Sequence, residues 1–271
     1  LSKADAAIAQ TEALISKYQR IKTGLMQDLL TKGIDEHGKI RSEQTHRFKT
    51  DKGLRVPEEW EVVSLSYFIE KLESGVSVNS EDKPRGAGQF GVLKTSALSG
   101  CVFNSIQNKI VEVKEISRLK CPVRKGAIII SRMNTPELVG ENALVETEHD
   151  NLFLPDRLWQ TVYKNEGELD VYWLSKILSS KKYRTRISFN ASGTSGSMKN
   201  ITKTDFLSIL IPKPLKTEQE RITSALKSIS KKENHDLKEL IKLQSLKTGL
   251  MQDLLSGKAK VKIKKYGNTT A

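Results

Sequence analysis

The sequence predicts an α+β protein in which a mixed-sheet domain is flanked by two long helices packed antiparallel as a coiled coil. Two observations carry this. The run Lys22-Thr23-Gly24-Leu25-Met26-Gln27-Asp28-Leu29-Leu30 recurs letter for letter from Lys247 to Leu255. Between the copies, residues 34–215 lose helical period and break into short strand-like runs separated by Gly-, Asn- and Pro-containing turns.

Each copy of the repeat reads as a helix. In the first, Ile8, Leu14, Ile15, Tyr18, Ile21, Leu25, Met26, Leu29 and Leu30 fall mostly at spacings of three and four. The second does the same with Leu226, Ile229, Leu237, Leu240, Ile241, Leu243, Leu246, Leu250, Met251, Leu254 and Leu255. Neither stretch contains proline. Pro212 and Pro214 precede the second helix, Thr217 with Glu220 forms a capping box, and Gly33 and Gly257 are placed to stop the two helices. The expected boundaries are 1–33 and 216–257, with a basic tail at 258–271 expected to be disordered. A helix of this length reaches roughly 60 Å at 1.5 Å per residue, so its apolar stripe needs a partner. The nearest partner is the other copy, packed antiparallel, which creates a pseudo-two-fold axis with two near-equivalent faces. Two helices inside one ordinary core are the competing reading.

The middle domain has strand-like runs at 61–65, 90–93, 109–113, 127–131, 142–146, 158–163 and 207–211. Residues 39–52 are polar and read as a linker or loop. One helix starts at about Asp170, a suitable N-cap, and continues through Trp173, Leu174, Ile177 and Leu178. The expected result is a mixed, twisted sheet. Charge alternates along this domain: 109–132 and 181–213 are basic, while 133–170 is acidic. A domain that turns one side to DNA shows such alternation, and so does a scattered solvated surface.

Formal net charge is +13, from 45 basic and 32 acidic residues, which favours a polyanionic partner, nucleic acid before membrane surface. A basic protein with no such partner accounts for the same excess. No apolar run approaches the roughly 20 residues needed to span a bilayer, and no leader-like core opens the chain. Cys101 and Cys121 have no metal or disulfide spacing and read as reduced thiols of a cytoplasmic protein.

Motifs for catalysis are weak. Gly86-Ala87-Gly88-Gln89-Phe90-Gly91 fits the dinucleotide-binding glycine pattern, yet turn residues precede it and a strand follows, so no helix N-terminus receives a pyrophosphate. Pro155-Asp156 has no following Glu-x-Lys, and no Asn/Asp-Pro-Pro-aromatic loop is present. His37, His46, His149 and His235 show no ligand spacing. No metal and no cofactor are expected. DNA contact is better supported. Lys181, Lys182, Arg184 and Arg186 lead into a Gly/Ser-rich stretch with Thr194, Ser195, Lys199 and Asn200, which suits phosphate contact through charge and exposed amides. A flexible surface loop is the plain alternative. Arg132 and Asn134, after the apolar run 127–131, suit guanine and adenine edges, though a salt bridge and a turn would use the same residues. Lys94, after 90–93, completes the candidate set.

Four further runs stand in order along the chain: Val56-Pro57-Glu58-Glu59-Trp60 through Leu65, then Lys125-Gly126-Ala127 through Arg132 with Leu138-Val139-Gly140, then Gly193 through Ile201, and last Ile211-Pro212 with Glu218-Gln219-Glu220-Arg221-Ile222. Together with the repeated helices, which match the family's spacers, these runs resemble the specificity subunits of type I restriction–modification systems. The family's usual Pro-Pro is Pro-Lys-Pro here. The resemblance implies a non-catalytic, cytoplasmic DNA-binding subunit whose target recognition domain, residues 34–215, reads half of a split site in double-stranded DNA. It implies spacer helices that dock methyltransferase subunits, with restriction subunits joining them. Leu1 aligns with Leu226, inside the helix, so the chain is expected to be a C-terminal half with one recognition domain, able to pair with a second copy. The rivals are a nuclease or methyltransferase fused to such a domain, and a coiled-coil scaffold without DNA specificity.

Overall fold

The computed structural model describes residues 1–195 and 198–259; Gly196, Ser197 and the tail from Lys260 lie outside the described residues. In chain order the elements begin with α1 (Ser2–Thr31), β1 (Phe48–Asp51), β2 (Leu54–Pro57), β3 (Glu61–Ser64), β4 (Ile69–Ser74), β5 (Ser80–Glu81) and β6 (Gly91–Leu93). They continue with β7 (Asn108–Val111), β8 (Ile128–Ser131), β9 (Met133–Asn134), β10 (Asn142–Leu144), β11 (Leu152–Phe153) and β12 (Leu158–Tyr163). The last are α2 (Val171–Ser179), α3 (Lys181–Asn190), β13 (Ser192–Ser195), β14 (Met198–Asn200), α4 (Lys203–Leu207), β15 (Leu210–Lys213) and α5 (Lys216–Leu255). The chain divides into two compact units, Leu1–Leu25 with the chain from Ala225, and Met26–Ser224.

The first unit is an antiparallel helix pair. Lys247 pairs with Asp5 at 2.6 Å and Lys22 with Glu233 at 2.8 Å, so position along one helix rises as it falls along the other. Ile15 and Leu226 are buried, as the stripes require. The seam does not cover everything: Ile241 is 63% exposed and Leu246 55%. Among the described residues no helix is long and apolar enough to cross a membrane.

The second unit holds the sheets. Its centre is the antiparallel order β10-β8-β12-β4. All four residues of β8 are buried, because a central strand covered on both faces needs an unbroken apolar run rather than an alternating one. On one face Ile129 joins Leu93, Leu98, Val123, Val145, Leu152 and Leu158 in a core cluster. Elsewhere in the core, aromatic pairs recur: Trp159 meets Phe206 and Phe68 meets Trp173, with ring centroids 6.2 and 6.3 Å apart. A second sheet, β11-β6-β7-β5, contains a parallel pair, β11 with β6, so the sheets are mixed as expected. Helix α2 is capped by Asp170, whose carboxylate accepts from the Trp173 amide at 2.8 Å. Cys101 and Cys121 are unpaired, and burial pushes the Cys121 thiol up to about 11, which keeps it protonated.

Four local expectations need correction. The polar stretch 39–52 carries β1, which closes a hairpin with β2 through Lys52 and Gly53, both at positive φ. The basic run 181–190 is a helix, α3, because its Tyr183 and Ile187 are buried one turn apart. The expected strand 207–211 starts with the end of α4 and reaches strand geometry only at Leu210. Finally, Thr217 lies inside α5 and is not its cap: Leu215 supplies the carbonyl that accepts from the Glu218 and Gln219 amides.

Glu218 has a different task. Its carboxylate accepts from both Arg41 Nη groups, from the Trp60 indole at 3.0 Å and from the Ile34 amide at 2.9 Å. All these atoms are buried, and the neighbouring Gln219 side chain accepts from the Asp170 amide at 2.8 Å and donates to Glu168 and Pro214 carbonyls at 3.0 Å. Gly33, at φ +72, presses so closely on the Glu218 carboxylate and the Trp60 ring that a Cβ there would collide with both. The segments just after α1 and at the start of α5 are therefore fixed at one point.

Glu218→Ala strands the Arg41 guanidinium in a buried site and should cost about 3–5 kcal/mol in urea unfolding, with Glu218→Gln costing less. Equal stability of Glu218→Ala and the parent chain would remove the clamp from the fold's determinants. The helix register is tested by cross-linking. The pair Asp5→Cys with Lys247→Cys should oxidise within one chain. Asp5→Cys with Glu233→Cys should not, since position 233 lies roughly 20 Å further along at 1.5 Å per residue.

Candidate nucleic-acid interface

Strand β8 ends at Ser131, and the chain then leaves the core through the loop 132–140, which contains the short strand β9 and carries Arg132 and Asn134. The loop returns where Gly140 donates to the Ser131 carbonyl at 2.6 Å. Gly140 has φ +74, and a Cβ there would strike Ile187 of α3, so the loop is seated directly on that helix. A three-stranded sheet, β13-β14-β9, completes the region: Lys199 stands opposite Asn134 and Asn200 opposite Met133. The two candidate groups that the sequence kept apart, the 132–134 pair and the Gly/Ser-rich stretch, are thus neighbours on one sheet. The stretch is not a loop throughout, because Ser192–Ser195 and Met198–Asn200 pair as a hairpin. Thr194 and Ser195 lie on β13, and Gly196 and Ser197 lie outside the described residues.

The basic residues divide by what their charged ends touch. Arg184 donates to the Val139 and Glu137 carbonyls, both at 2.8 Å, and burial depresses its pKa. Arg186 reaches the Leu210 carbonyl at 3.3 Å and lies over the Tyr183 ring. Arg184 thus holds the loop 132–140 to α3 through both terminal nitrogens, while Arg186, half-buried, engages a carbonyl through one terminal nitrogen. Lys199 donates to the Ser188 carbonyl at 2.7 Å, near the C-terminus of α3, where a cation is also favoured by the helix dipole. Lys94 is engaged by Asp82 at 2.5 Å, away from the other candidates in the pairing order of the sheets. Arg132 Nε donates to the Asp156 carbonyl at 2.9 Å, which leaves its terminal nitrogens without a partner among the described residues. Asn134 bonds its own loop, its Oδ1 accepting from the Thr135 amide at 2.9 Å. The Asn200 Oδ1 atom is buried with no partner among the described residues.

Lys181 and Lys182 differ from all of these. Both are exposed in the first turn of α3, and no ion pair holds either ammonium among the described residues. Partial desolvation, followed by repulsion from Arg186, lowers the Lys182 pKa. The N-cap Ser180 makes no side-chain cap and spends its hydroxyl on the Ile177 carbonyl. Cations at an uncapped helix N-terminus oppose the helix dipole, so their placement serves an external anion better than it serves the helix. Sequence reasoning missed Glu137, Ser188 and Phe189, which line a groove of about 370 Å³ with Lys199. The exposed phenylalanine was the available signal, but its exposure depends on α3, which the local pattern did not reveal.

The described family "Type I restriction modification DNA specificity domain" matches residues 57–244. The specificity subunit of the type I restriction enzyme MjaVIII from Methanocaldococcus jannaschii is 27% identical over 267 residues, covering 97% of this chain and 59% of that protein. This chain therefore spans a little over half the length of that relative. Among solved structures, the type I restriction–modification S subunit from M. genitalium superposes with a TM-score of 0.57 at 15% identity, covering 93% of this chain and 58% of that one. The HsdS subunit from Thermoanaerobacter tengcongensis gives a TM-score of 0.52 at 16% identity, covering 93% and 56%. At these identities the superpositions speak for the fold. The family match spans most of the chain and runs from the end of β2 into α5, and by it the chain belongs to the type I restriction–modification DNA specificity family.

Proposed function

We propose that this chain is a non-catalytic DNA sequence-recognition subunit of a type I restriction–modification enzyme, working in the cytoplasm. Its sheet domain, residues 34–215, reads one half of a split target in double-stranded DNA. The observation that carries this reading is the sheet β13-β14-β9, which gathers Arg132, Asn134, Lys199 and Asn200 beside the basic helix α3. Phosphate contacts fix register and base-edge contacts specify sequence. Here Lys181 and Lys182 suit the first role, and Arg132, with its terminal nitrogens free of the described residues, suits the second. Thr194 and Ser195, on β13, belong with the phosphate set.

The helix pair serves as ruler and platform. Its uncovered Ile241 and Leu246 support docking of methyltransferase subunits, with restriction subunits joining the assembly, or pairing with a second copy of this chain. Split sites need a fixed distance between readers, and long antiparallel helices supply one without chemistry of their own.

Binding to a duplex pool with a randomised core, followed across a salt series, tests the reading. Lys181→Ala with Lys182→Ala should weaken target and non-target DNA alike and lower the salt slope by about two. Arg132→Ala should cost on the order of 1–3 kcal/mol on the enriched sequence and far less elsewhere. Arg184→Ala should instead lower thermal stability, because it frees two loop carbonyls. Binding that ignores salt, or its absence with and without methyltransferase subunits, would overturn the assignment.

A further inference from the structure

The groove beside Lys199 contains two groups that phosphate binding does not explain. Phe189, in the last turn of α3, is 86% exposed, while every tryptophan of the chain is buried. Glu137 is exposed on the loop 132–140, and its carboxylate has no ion pair among the described residues, although Arg184 binds its backbone carbonyl. An unpaired carboxylate and a bare phenyl ring are poor ornaments for a surface meant only to track phosphates. One repels the backbone and the other is indifferent to it.

Their mounting is rigid. Ser188, the residue before Phe189, donates its hydroxyl to the Pro136 carbonyl at 2.7 Å and accepts from Lys199 on its own carbonyl at 2.7 Å. Arg184 ties the Glu137 carbonyl to the same helix at 2.8 Å. Glu137 from the loop and Phe189 from α3 therefore line one groove of about 370 Å³, each on a backbone fastened by these bonds. A flat apolar face beside a hydrogen-bond acceptor matches one chemistry available on a basic surface: a nucleobase carrying an exocyclic amino group. Aromatic side chains stack on base faces, and carboxylates accept from cytosine N4 or adenine N6. Inserted apolar side chains also unstack a base step in duplex DNA.

We infer that Phe189 and Glu137 form a base-reading site, in which the ring stacks on a cytosine or adenine at a partly unstacked step and the carboxylate accepts its amino group. The inference rests on the DNA-binding reading above. It differs from it in naming groups that carry specificity without adding positive charge.

The test uses the full chain and the duplex pool with a randomised core, over a salt series. Phe189→Ala should lower affinity for the enriched duplex about ten- to a hundredfold while leaving the salt slope unchanged, since no phosphate contact is lost. Because Phe189 is exposed, that variant keeps its core contacts. Phe189→Trp should retain binding, and its indole emission should fall on adding the enriched duplex, against a background of tryptophans shielded by burial. Glu137→Ala should act with opposite signs: tighter binding to non-target DNA, and loss of one preferred C or A from the enriched sequence. If the unsubstituted chain binds DNA in a salt-dependent way while Phe189→Ala binds equally well and the indole emission does not move, the inference fails and the DNA-binding reading stands. That outcome would assign the ring to a protein contact. If the unsubstituted chain binds no DNA, both fall together.

Discussion

A buried carboxylate, Glu218, sets the frame on which the sheet domain depends. It accepts from the Arg41 guanidinium, the Trp60 indole and the Ile34 amide, so residues that follow α1 and residues that begin α5 are held against one another. A buried ion pair is seldom a net gain over a well-packed apolar contact, but once present it tolerates no half-measures, because either charge left alone is costly. Its value here is positional. Four donors converge on one side chain, and few other positions of these segments would satisfy them all. Gly33 belongs to the same constraint: its positive φ and its lack of a Cβ let the chain turn directly over the carboxylate.

The same economy of position explains the basic surface. A run of cations on one helix invites a uniform reading, yet the geometry divides it. Arg184 spends both terminal nitrogens on backbone carbonyls and Arg186 spends one, so both help to hold α3 to its neighbours. Planar guanidinium groups suit this because two parallel donors can serve two carbonyls at once, as Arg184 does. Lysines carry compact, well-hydrated charges, and those at the start of α3 remain exposed. Sequence alone ranks these residues equally; only the partners supplied from residues 137–139 and 210 separate them.

Legibility followed the length of the pattern. The helices α1 and α5 announce themselves because a stripe sustained over many turns outweighs any local propensity, and β8 does so because an unbroken apolar run suits a strand buried on both faces. Asp170 gave the start of α2 through a local bond to Trp173. Short elements escaped. The hairpin of β1 and β2 turns through Lys52-Gly53, a weaker signal than Asn-Gly, within a polar stretch. Helix α3 shows only Tyr183 and Ile187 to the core, too little for a period to emerge. Of the site, the basic composition and the Gly/Ser-rich stretch were visible. Their union with Arg132 and Asn134 was not, because it comes from pairing β14 with β9 across more than sixty positions of chain, a non-local contact that no local pattern announces.

On the proposed reading, the arrangement lets such a domain change what it reads without unfolding. The loop 132–140 leaves a strand that is buried on both faces and is then fastened through main-chain groups: the carbonyls of Pro136, Glu137 and Val139 accept from Ser188 and Arg184. Main-chain fastening is indifferent to the side chain at the same residue. Glu137 could become another polar residue with every one of those bonds intact, whereas a change at Gly140 would strike Ile187. On the proposed reading the loop meets DNA already ordered, and the entropy of fixing it is not charged against binding. The fastening lies in the backbone, and the side chain of Glu137 takes no part in it. On the proposed reading, that separation lets a surface of fixed shape carry alternative sequence preferences.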